Sequence, residues 1–226
     1  MMWGKQLDLF PDHVEKWERP DTEPPQQFEV ILSDPPWDYD GRTFLNNVAH
    51  ETGAASDHYP TMTPQELKEM PIQHLCADNC IHYMWTTGPQ LDVSIEVLKA
   101  WGFKFKTVAF VWEKQVTNPG YYTMSSVEYC IVGTKGAIPK PRGARNERQF
   151  LSRRRARHSA KPKDFIERIS RMHPAQNKLE IFSRKAHDDW FCWGHDAYGP
   201  GAVNIPRLKN DNIPEHIHNV LYPLPL

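Results

Sequence analysis

The chain has 226 residues, of which 39% are hydrophobic and 24% are charged, and its formal net charge is −1. A chain of this length and composition can bury a core and lies within the single-domain range of α/β folds. No apolar stretch is long enough to span a membrane, and the first residues do not lead into the apolar segment of a signal peptide. We therefore expect a cytoplasmic protein without membrane association, whose four cysteines are reduced thiols.

The first predicted strand, residues 28–33, leads directly into the tetrapeptide Asp34-Pro35-Pro36-Trp37. The exocyclic amine of adenine is a poor nucleophile because its lone pair is delocalised into the ring, so its activation requires acceptors for both N–H bonds. Asp34 can be one acceptor, and the carbonyl of Pro35, held by Pro36, can be the other. Trp37 offers a face for stacking. The tetrapeptide therefore suits amine activation, and the alternative is a rigid turn without catalytic function.

The remaining predicted elements alternate between helices and strands. A capping-box pattern at Thr63 to Glu66 predicts the start of a short helix. A second helix is predicted at residues 89–101, ending at Gly102, and a third begins at Pro162. Strands are predicted at residues 80–86, 103–112, 127–133, 179–182 and 190–193. This order predicts an α/β fold with a mostly parallel sheet, helices on both faces, and ligands at the carboxyl ends of the strands.

Four residues of zinc-binding types, His74, Cys76, Cys80 and His82, lie close together in the sequence. Their spacing is a poor match to a zinc finger, and Cys80 to Trp85 has the character of a strand. We therefore predict buried thiols and surface histidines rather than a zinc site.

A basic segment lies between Lys140 and Lys163, where eight further basic residues are accompanied by the single acid Glu147. Phosphate is the counterpart that such a charge favours, so we predict contact with a nucleic acid. Pro141 and Gly143 favour a flexible loop that orders on binding, and the alternative is a solvated loop without a partner. The arginines that we predict to bind the substrate are Arg142, Arg145, Arg153, Arg154 and Arg155.

Several short motifs follow one another in a fixed order between Val30 and Gly194. They are Asp34-Pro35-Pro36-Trp37, Tyr59-Pro60-Thr61-Met62, Trp85-Thr86-Thr87-Gly88, Trp101-Gly102-Phe103, Trp112-Glu113-Lys114, Glu128-Tyr129-Cys130-Ile131-Val132-Gly133, His158-Ser159-Ala160-Lys161-Pro162 and Lys178-Leu179-Glu180-Ile181-Phe182-Ser183-Arg184, with Trp190 and Gly194. In this order they resemble the adenine-N6 methyltransferases related to the catalytic subunit of the eukaryotic mRNA N6-adenosine methyltransferase, including bacterial and phage members.

The resemblance implies a Rossmann-like methyltransferase sheet, S-adenosyl-L-methionine as the cofactor, and a tetrapeptide that precedes the main cofactor-binding strand. That order accounts for the lack of a Gly-x-Gly-x-x-Gly loop in the sequence. Lys161 would bind the methionine carboxylate, since an ammonium at a helix start needs an anion. The cofactor-binding residues that the resemblance implies are Asp34, His158, Ser159, Lys161, Glu180, Phe182, Arg184, His195 and Asp196.

The chain departs from the family pattern at His195-Asp196, where members often have Asn followed by Gln or Glu. Asp196 could still accept hydrogen bonds from the cofactor ribose, and His195 could donate one. Residues that match positions near the substrate pocket of the family are Tyr39, Tyr59, Lys114 and Glu128, although an aromatic residue or a strand-borne acid is often only structural.

The N-terminal arm, residues 1–27, contains Gln6-Leu7-Asp8-Leu9-Phe10, followed by an acidic, proline-bearing stretch. This peptide resembles the short sequence by which bacterial replication and repair proteins bind the sliding DNA clamp, and the stretch after it would be a tether. The alternative is an arm that packs on its own domain. Clamp binding would favour DNA over RNA. We divide the chain into this arm, a methyltransferase domain at 28–196, and a proline-rich C-terminal extension at 197–226.

Two functional classes follow from the sequence. The first is a DNA adenine-N6 methyltransferase, with RNA adenosine as the alternative substrate and a homo- or heterodimer as an open question. The second is a non-catalytic nucleic-acid-binding subunit with the same fold. The intact tetrapeptide favours the enzyme, because a scaffold has no chemical need for Asp34. A cytosine-amino methyltransferase would use similar acceptors, and only the resemblance argues against it.

Overall fold

The computed structural model describes residues 27–37, 61–120, 122–155, 160–183, 187, 189–194 and 202–204. Its strands are β1 Phe28–Ser33, β2 Cys76–Thr86, β3 Lys104–Asn118, β4 Ser125–Lys135, β5 Phe150–Ser152, β6 Lys178–Ile181, β7 Phe191–Gly194 and β8 Ala202–Asn204. Its α-helices are α1 Pro64–Glu69, α2 Leu91–Ala100 and α3 Lys163–Met172. None of the helices in this described part of the chain is both long and apolar enough to cross a membrane.

The strands form one eight-stranded sheet in the order β5-β3-β4-β2-β1-β6-β7-β8. Five neighbouring pairs are parallel, and only β4 runs antiparallel to its two neighbours, β2 and β3. The predicted mixed α/β fold with a mostly parallel sheet is therefore confirmed. β3 and β4 form a hairpin that is longer than predicted, because residues 113–118 pair with β4 although they lack a clear apolar alternation.

Helices cover both faces of the sheet, as predicted. Ile31 of β1 faces a cluster that contains Leu67 of α1 and Val97 of α2. Its neighbours Val30 and Leu32 face the other cluster, to which α3 contributes Phe165 and Ile169. Successive strand residues point to opposite faces, so a strand that is buried by both layers needs apolar residues on both of its faces, which Val30, Ile31 and Leu32 provide here.

The two ends of the sheet have different surroundings. We call the end at which β1, β2 and β6 finish the carboxyl end, and the opposite end the amino end. At the carboxyl end, Thr86 pairs with Tyr129, and β4 starts four residues earlier, at Ser125. At a rise of 3.3 Å per residue, the β3–β4 hairpin therefore projects roughly 13 Å past the end of β2.

The basic segment is held against the fold from residue 143 onward. Gly143 and Ala144 donate backbone hydrogen bonds to Met172 and Arg171, at the end of α3. Further along, β5 pairs with β3, and the amide of Arg155 donates to the carbonyl of Lys114. The prediction of a flexible loop is therefore wrong at residues 143–144 and 149–155, where backbone hydrogen bonds join the segment to α3 and β3.

Candidate active site

The tetrapeptide at the end of β1 is held by its own backbone and by Met62. The amide of Trp37 donates to the carbonyl of Pro35 over 2.8 Å, and the amide of Met62 donates to the carbonyl of Pro36 over 2.8 Å. Asp34 is thereby fixed at the carboxyl end of the sheet. A carbonyl oxygen has two lone pairs, so the Pro35 carbonyl can accept one more hydrogen bond.

Four charged residues from four separate segments meet beside the tetrapeptide. Lys161 Nζ lies 2.6 Å from Asp34 Oδ2 and 3.3 Å from Glu128 Oε2. Lys114 Nζ lies 3.2 Å from Glu128 Oε1. We call Asp34, Lys114, Glu128 and Lys161 the ion cluster. It contains two cations and two anions in alternation, and it joins β1, β3, β4 and the segment before α3.

The opposite charges of the ion cluster stabilise one another in their charged forms. Burial alone disfavours the charged form of Lys161, but attraction and hydrogen bonds from Asp34 and Glu128 outweigh it and raise the pKa of this ammonium above its ordinary value. Burial raises the pKa of Glu128, yet Lys161 and Lys114 hold it below the usual range. The Lys161 ammonium also lies 5.6 Å from the centre of the Trp85 ring, a cation–π distance. Glu128 and Lys161 therefore stay charged at neutral pH.

Trp37 lies in the core rather than on an open face. Its side chain is 4% exposed, and its Nε1 donates to the carbonyl of Trp85 over 3.3 Å. A base cannot lie flat on this ring in the conformation described. The stacking role that we predicted for Trp37 remains a prediction, and the observed role of the ring is to anchor the tetrapeptide.

The predicted cofactor strand, β6, lies next to β1, with Ile181 opposite Ser33. Glu180 accepts a hydrogen bond from Ser183 Oγ at 2.6 Å, and its Oε2 lies 3.1 Å from His187 Nε2. Phe182 follows in the left-handed region with a φ of 63°, which is strained for a bulky residue. Such strain often accompanies functional sites, and here it lies beside Asp34.

The sequence model of the MT-A70 family matches residues 28–196, which is most of the chain. The chain belongs to the MT-A70 family. It is 44% identical over 182 residues to the Type II methyltransferase M.MunI of Mycoplasma sp, covering 76% of this chain and 78% of that protein. Family membership confirms the resemblance that the sequence motifs indicated, and it implies the use of S-adenosylmethionine.

Eukaryotic MT-A70 relatives are more distant. The chain is 28% identical over 188 residues to the N(6)-adenosine-methyltransferase MT-A70-like protein of Arabidopsis thaliana, covering 78% of this chain and 25% of that one. It is 25% identical over 185 residues to the N(6)-adenosine-methyltransferase catalytic subunit METTL3 of Homo sapiens, covering 76% and 29%. The chain thus spans only about a quarter of the length of these relatives.

Several predicted site residues of this MT-A70 protein lie outside the described residues, and their roles stay predictions. They are the clamp-binding peptide Gln6 to Phe10, the substrate residues Tyr39 and Tyr59, and the cofactor residues His158, Ser159, Arg184, His195 and Asp196.

The structure divides the predicted substrate-binding arginines between the two ends of the sheet. Arg154 and Arg155 are exposed beside Lys114 at the carboxyl end, whereas Arg153 pairs with Asp164 of α3. Arg142 and Arg145 are exposed near the end of α3, which lies at the amino end because β6 begins there. Only the first group lies beside the ion cluster.

Of the four residues that we considered as zinc ligands, His74 is exposed and the other three are part of the core. The prediction of a surface histidine is therefore wrong for His82, which lies on a strand that is covered on both faces. Cys76 and Cys80 are buried in β2, and His82 Nε2 is 2.8 Å from Ser33 Oγ. Burial lowers the pKa of His82 to about 3. Within the described residues, no three His, Cys, Asp or Glu side chains are placed to hold a metal ion together.

Trp85 is a site residue that the sequence placed in a family motif without indicating a role for it. It supplies a ring beneath Lys161 and a carbonyl for Trp37. The available signal was its place at the carboxyl end of a predicted strand. That signal could not separate it from ordinary core aromatics, because its role depends on contacts with residues 48 and 76 positions away.

Proposed function

We propose that the chain transfers a methyl group from S-adenosylmethionine to the N6 amino group of adenine in DNA, and that the ion cluster and the tetrapeptide are the active site. The observation that carries this proposal is the position of Asp34. It lies at the carboxyl end of a parallel sheet, where α/β folds bind ligands, and it is held by Lys161 over 2.6 Å.

The proposed task of Asp34 and the Pro35 carbonyl is to accept the two N–H bonds of the adenine amine. Two acceptors draw the nitrogen out of conjugation with the ring and expose its lone pair. The nitrogen gains positive charge as the new bond forms, and a fixed carboxylate stabilises that charge. Asp34 is also placed to receive the proton that the nitrogen then loses. When bound, S-adenosylmethionine supplies an electrophilic methyl group.

The residues described here fit the cofactor. An ammonium has three N–H donors, so the two ion pairs of Lys161 do not exhaust its capacity to bind the methionine carboxylate. The Lys161 side chain is 16% exposed, which leaves it within reach of a ligand. Glu180 and Phe182 would border the same pocket from β6, and His158, Ser159, Arg184, His195 and Asp196 would complete it.

The proposed substrate is DNA rather than RNA. The relative with 44% identity is a Type II methyltransferase and matches this chain over most of both lengths. The adenosine methyltransferases share 25% to 28% identity over about a quarter of their own lengths. RNA adenosine is the alternative substrate. A non-catalytic subunit is disfavoured, because an isolated structural role would not require Asp34 to be held among two cations and a second acid.

We extend the proposal to the setting of the enzyme. Arg154 and Arg155 would contact phosphates, Lys114 and Glu128 would face the base, and residues 6–10 would bind a sliding clamp in a bacterial or phage cytoplasm. A homo- or heterodimer remains a separate proposal. Loss of clamp binding on deletion of residues 6–10, measured in a pull-down with the intact chain as control, would support the clamp contact, and unchanged binding would remove it.

The function is tested by incubating the purified chain with methyl-labelled S-adenosylmethionine and matched pools of duplex DNA, single-stranded DNA and RNA. The nucleosides are then separated by liquid chromatography and identified by mass spectrometry. We expect label on N6-methyldeoxyadenosine from DNA. Label on N6-methyladenosine from RNA alone would replace DNA by the alternative substrate, and label on cytosine would overturn the base assignment.

A further inference from the structure

Two large apolar side chains are exposed at one turn of the molecule. Tyr122 is 100% exposed and Met124 is 59% exposed, and both lie at the tip of the β3–β4 hairpin. In the described part of the chain, the other large apolar side chains with comparable exposure are Ile138 and Phe150. A neighbouring pair on a projecting tip adds nothing to the stability of the fold, and exposed apolar side chains of this kind are typical of a surface that a partner covers.

The described residues on both sides of the tip are closely packed. Asn118 pairs with Ser125, which closes the hairpin at the base of the tip. A Cβ atom at Gly120 would lie 2.5 Å from the carbonyl oxygen of Thr123, so glycine is the residue that fits there. Tyr122 therefore lies between this close contact and the paired strands.

The projecting part of the hairpin starts at the ion cluster. Lys114 and Glu128 lie on its two strands, and the strand register shifts between Glu113 and Asn118. At this shift Gln115 adopts a φ of 53°, and its amide donates to Glu113 Oε1 over 2.9 Å. A bulge of this kind bends a hairpin and redirects its tip.

The distance from site to tip is short enough for one nucleic-acid duplex to reach both. Tyr122 lies six positions before Glu128 in the sequence, so the Cα atoms of the two residues are at most about 20 Å apart. Arg154 and Arg155 are exposed beside the base of the same hairpin, where phosphates would lie. A duplex that presents an adenine to Asp34 would therefore lie within reach of the tip of the hairpin as well.

Duplex DNA poses a specific problem for this site. An adenine must leave the stack to reach Asp34, which costs a few kcal/mol of stacking and pairing. Proteins offset such a cost by inserting an aromatic or apolar side chain between base steps. Tyr122 has the chemistry for this task, and Met124 adds a flexible apolar neighbour.

We propose that Tyr122 inserts into the duplex at the place vacated by the target adenine, supported by Met124, and thereby holds the base in the extruded position. This inference rests on the proposed function. It makes Tyr122 a positioning residue rather than a catalytic one, since it touches the neighbouring bases and not the reacting atoms.

The test compares Tyr122→Ala with the wild type on two duplexes under single-turnover conditions. One duplex carries the adenine that the wild type methylates, paired with thymine. In the other, the same adenine faces an abasic site, so its pairing cost is already removed. We expect the variant to be at least fivefold slower on the paired duplex and within twofold of the wild type on the abasic duplex. Tyr122→Trp should restore the rate on the paired duplex.

Ile138→Ala is the matched control, because Ile138 is 37% exposed and follows β4 at the amino end, away from the ion cluster. We expect it to match the wild type on both duplexes. Equal slowing of Tyr122→Ala on both duplexes, or no slowing on either, would overturn the insertion role while leaving DNA methylation intact. A wild type that methylates neither duplex would overturn the proposed function together with the insertion role.

Discussion

Each end of the sheet contains a buried lysine, and the two lysines differ in their partners. At the carboxyl end, Lys161 is held by the carboxylates of Asp34 and Glu128, and its pKa is raised despite burial. At the amino end, Lys178 donates to the carbonyls of His173 and Gln176, and burial lowers its pKa. Carbonyl groups accept hydrogen bonds from an ammonium but do not balance its charge. The contacts of Lys178 therefore hold the turn between α3 and β6 in place.

The charges around each lysine distinguish a functional site from a structural polar contact. The carboxyl end gathers charges of both signs from separate segments, a strained residue at Phe182, and a projecting hairpin. The partners of Lys178 at the amino end are neutral carbonyls, and the nearby contact of 3.0 Å between Tyr83 and His173 also joins neutral side chains. Burial of a polar group is common to both ends, and of the two lysines it is Lys161 that belongs to a cluster of opposite charges.

Replacing the two lysines in turn gives the largest expected contrast. Lys161→Met should weaken S-adenosylmethionine binding by ten- to a hundredfold, the equivalent of one lost charge-assisted hydrogen bond of about 1.5 to 3 kcal/mol. Lys178→Met should leave cofactor affinity within twofold and change only the melting temperature. Isothermal titration of the cofactor into both variants measures this, and equal affinity in Lys161→Met and the wild type would contradict the assignment.

The arginines test the same contrast through the substrate. Arg154→Glu with Arg155→Glu should lower duplex DNA affinity about tenfold or more, and should reduce the slope of log affinity against log salt by about one for each lost phosphate contact. Arg142→Glu with Arg145→Glu makes the same change of charge at the amino end and serves as the control. Fluorescence anisotropy over a salt series measures both, and identical slopes for the two variants would remove the distinction.

The pH dependence of stability should come partly from the amino end. Burial, with smaller effects of Arg142 and Lys178, lowers the pKa of His173 to about 4. A histidine whose pKa is lowered on folding stabilises the fold above its unfolded value of about 6.5, and that stability is lost as pH falls towards 4. His173→Gln should therefore flatten the decline of unfolding free energy by up to about 1.4 kcal/mol per pH unit in this window.

Chemical denaturation of the wild type and His173→Gln at pH 7.5, 6 and 5 measures this effect. Glu128 and Lys161 of the ion cluster do not titrate in the same window, since the pKa of Glu128 is lowered and that of Lys161 is raised. Parallel stability curves for the two proteins would show that folding does not lower the pKa of His173, which would contradict this prediction.

The sequence allowed prediction of the elements whose residues carry their own pattern. β1 and the Asp34 that follows it, the capping box at Thr63 and Glu66, and the three helices were all predictable, and the structure contains them. Each of these signals is local. The capping box, for example, needs only residues three positions apart.

The parts that were not predicted depend on partners distant in the sequence. The separation of the arginines follows from the docking of residues 143 and 144 on α3 and of β5 on β3. The burial of Trp37 follows from its contact with the Trp85 carbonyl, 48 residues away. Lys114 and Glu128 were predicted near the substrate by resemblance, but their link to Asp34 through Lys161 appears only once the strands are assembled.

Asp34→Asn tests directly whether Asp34 activates the adenine amine. The substitution keeps the size of the side chain and removes its charge, while Asp78→Asn, at an exposed position near the amino end of β2, makes the same change away from the site. We expect the methylation rate of Asp34→Asn on duplex DNA to fall by at least about a hundredfold, with cofactor affinity within a few-fold and Asp78→Asn unchanged. A rate for Asp34→Asn close to that of the wild type would contradict the account.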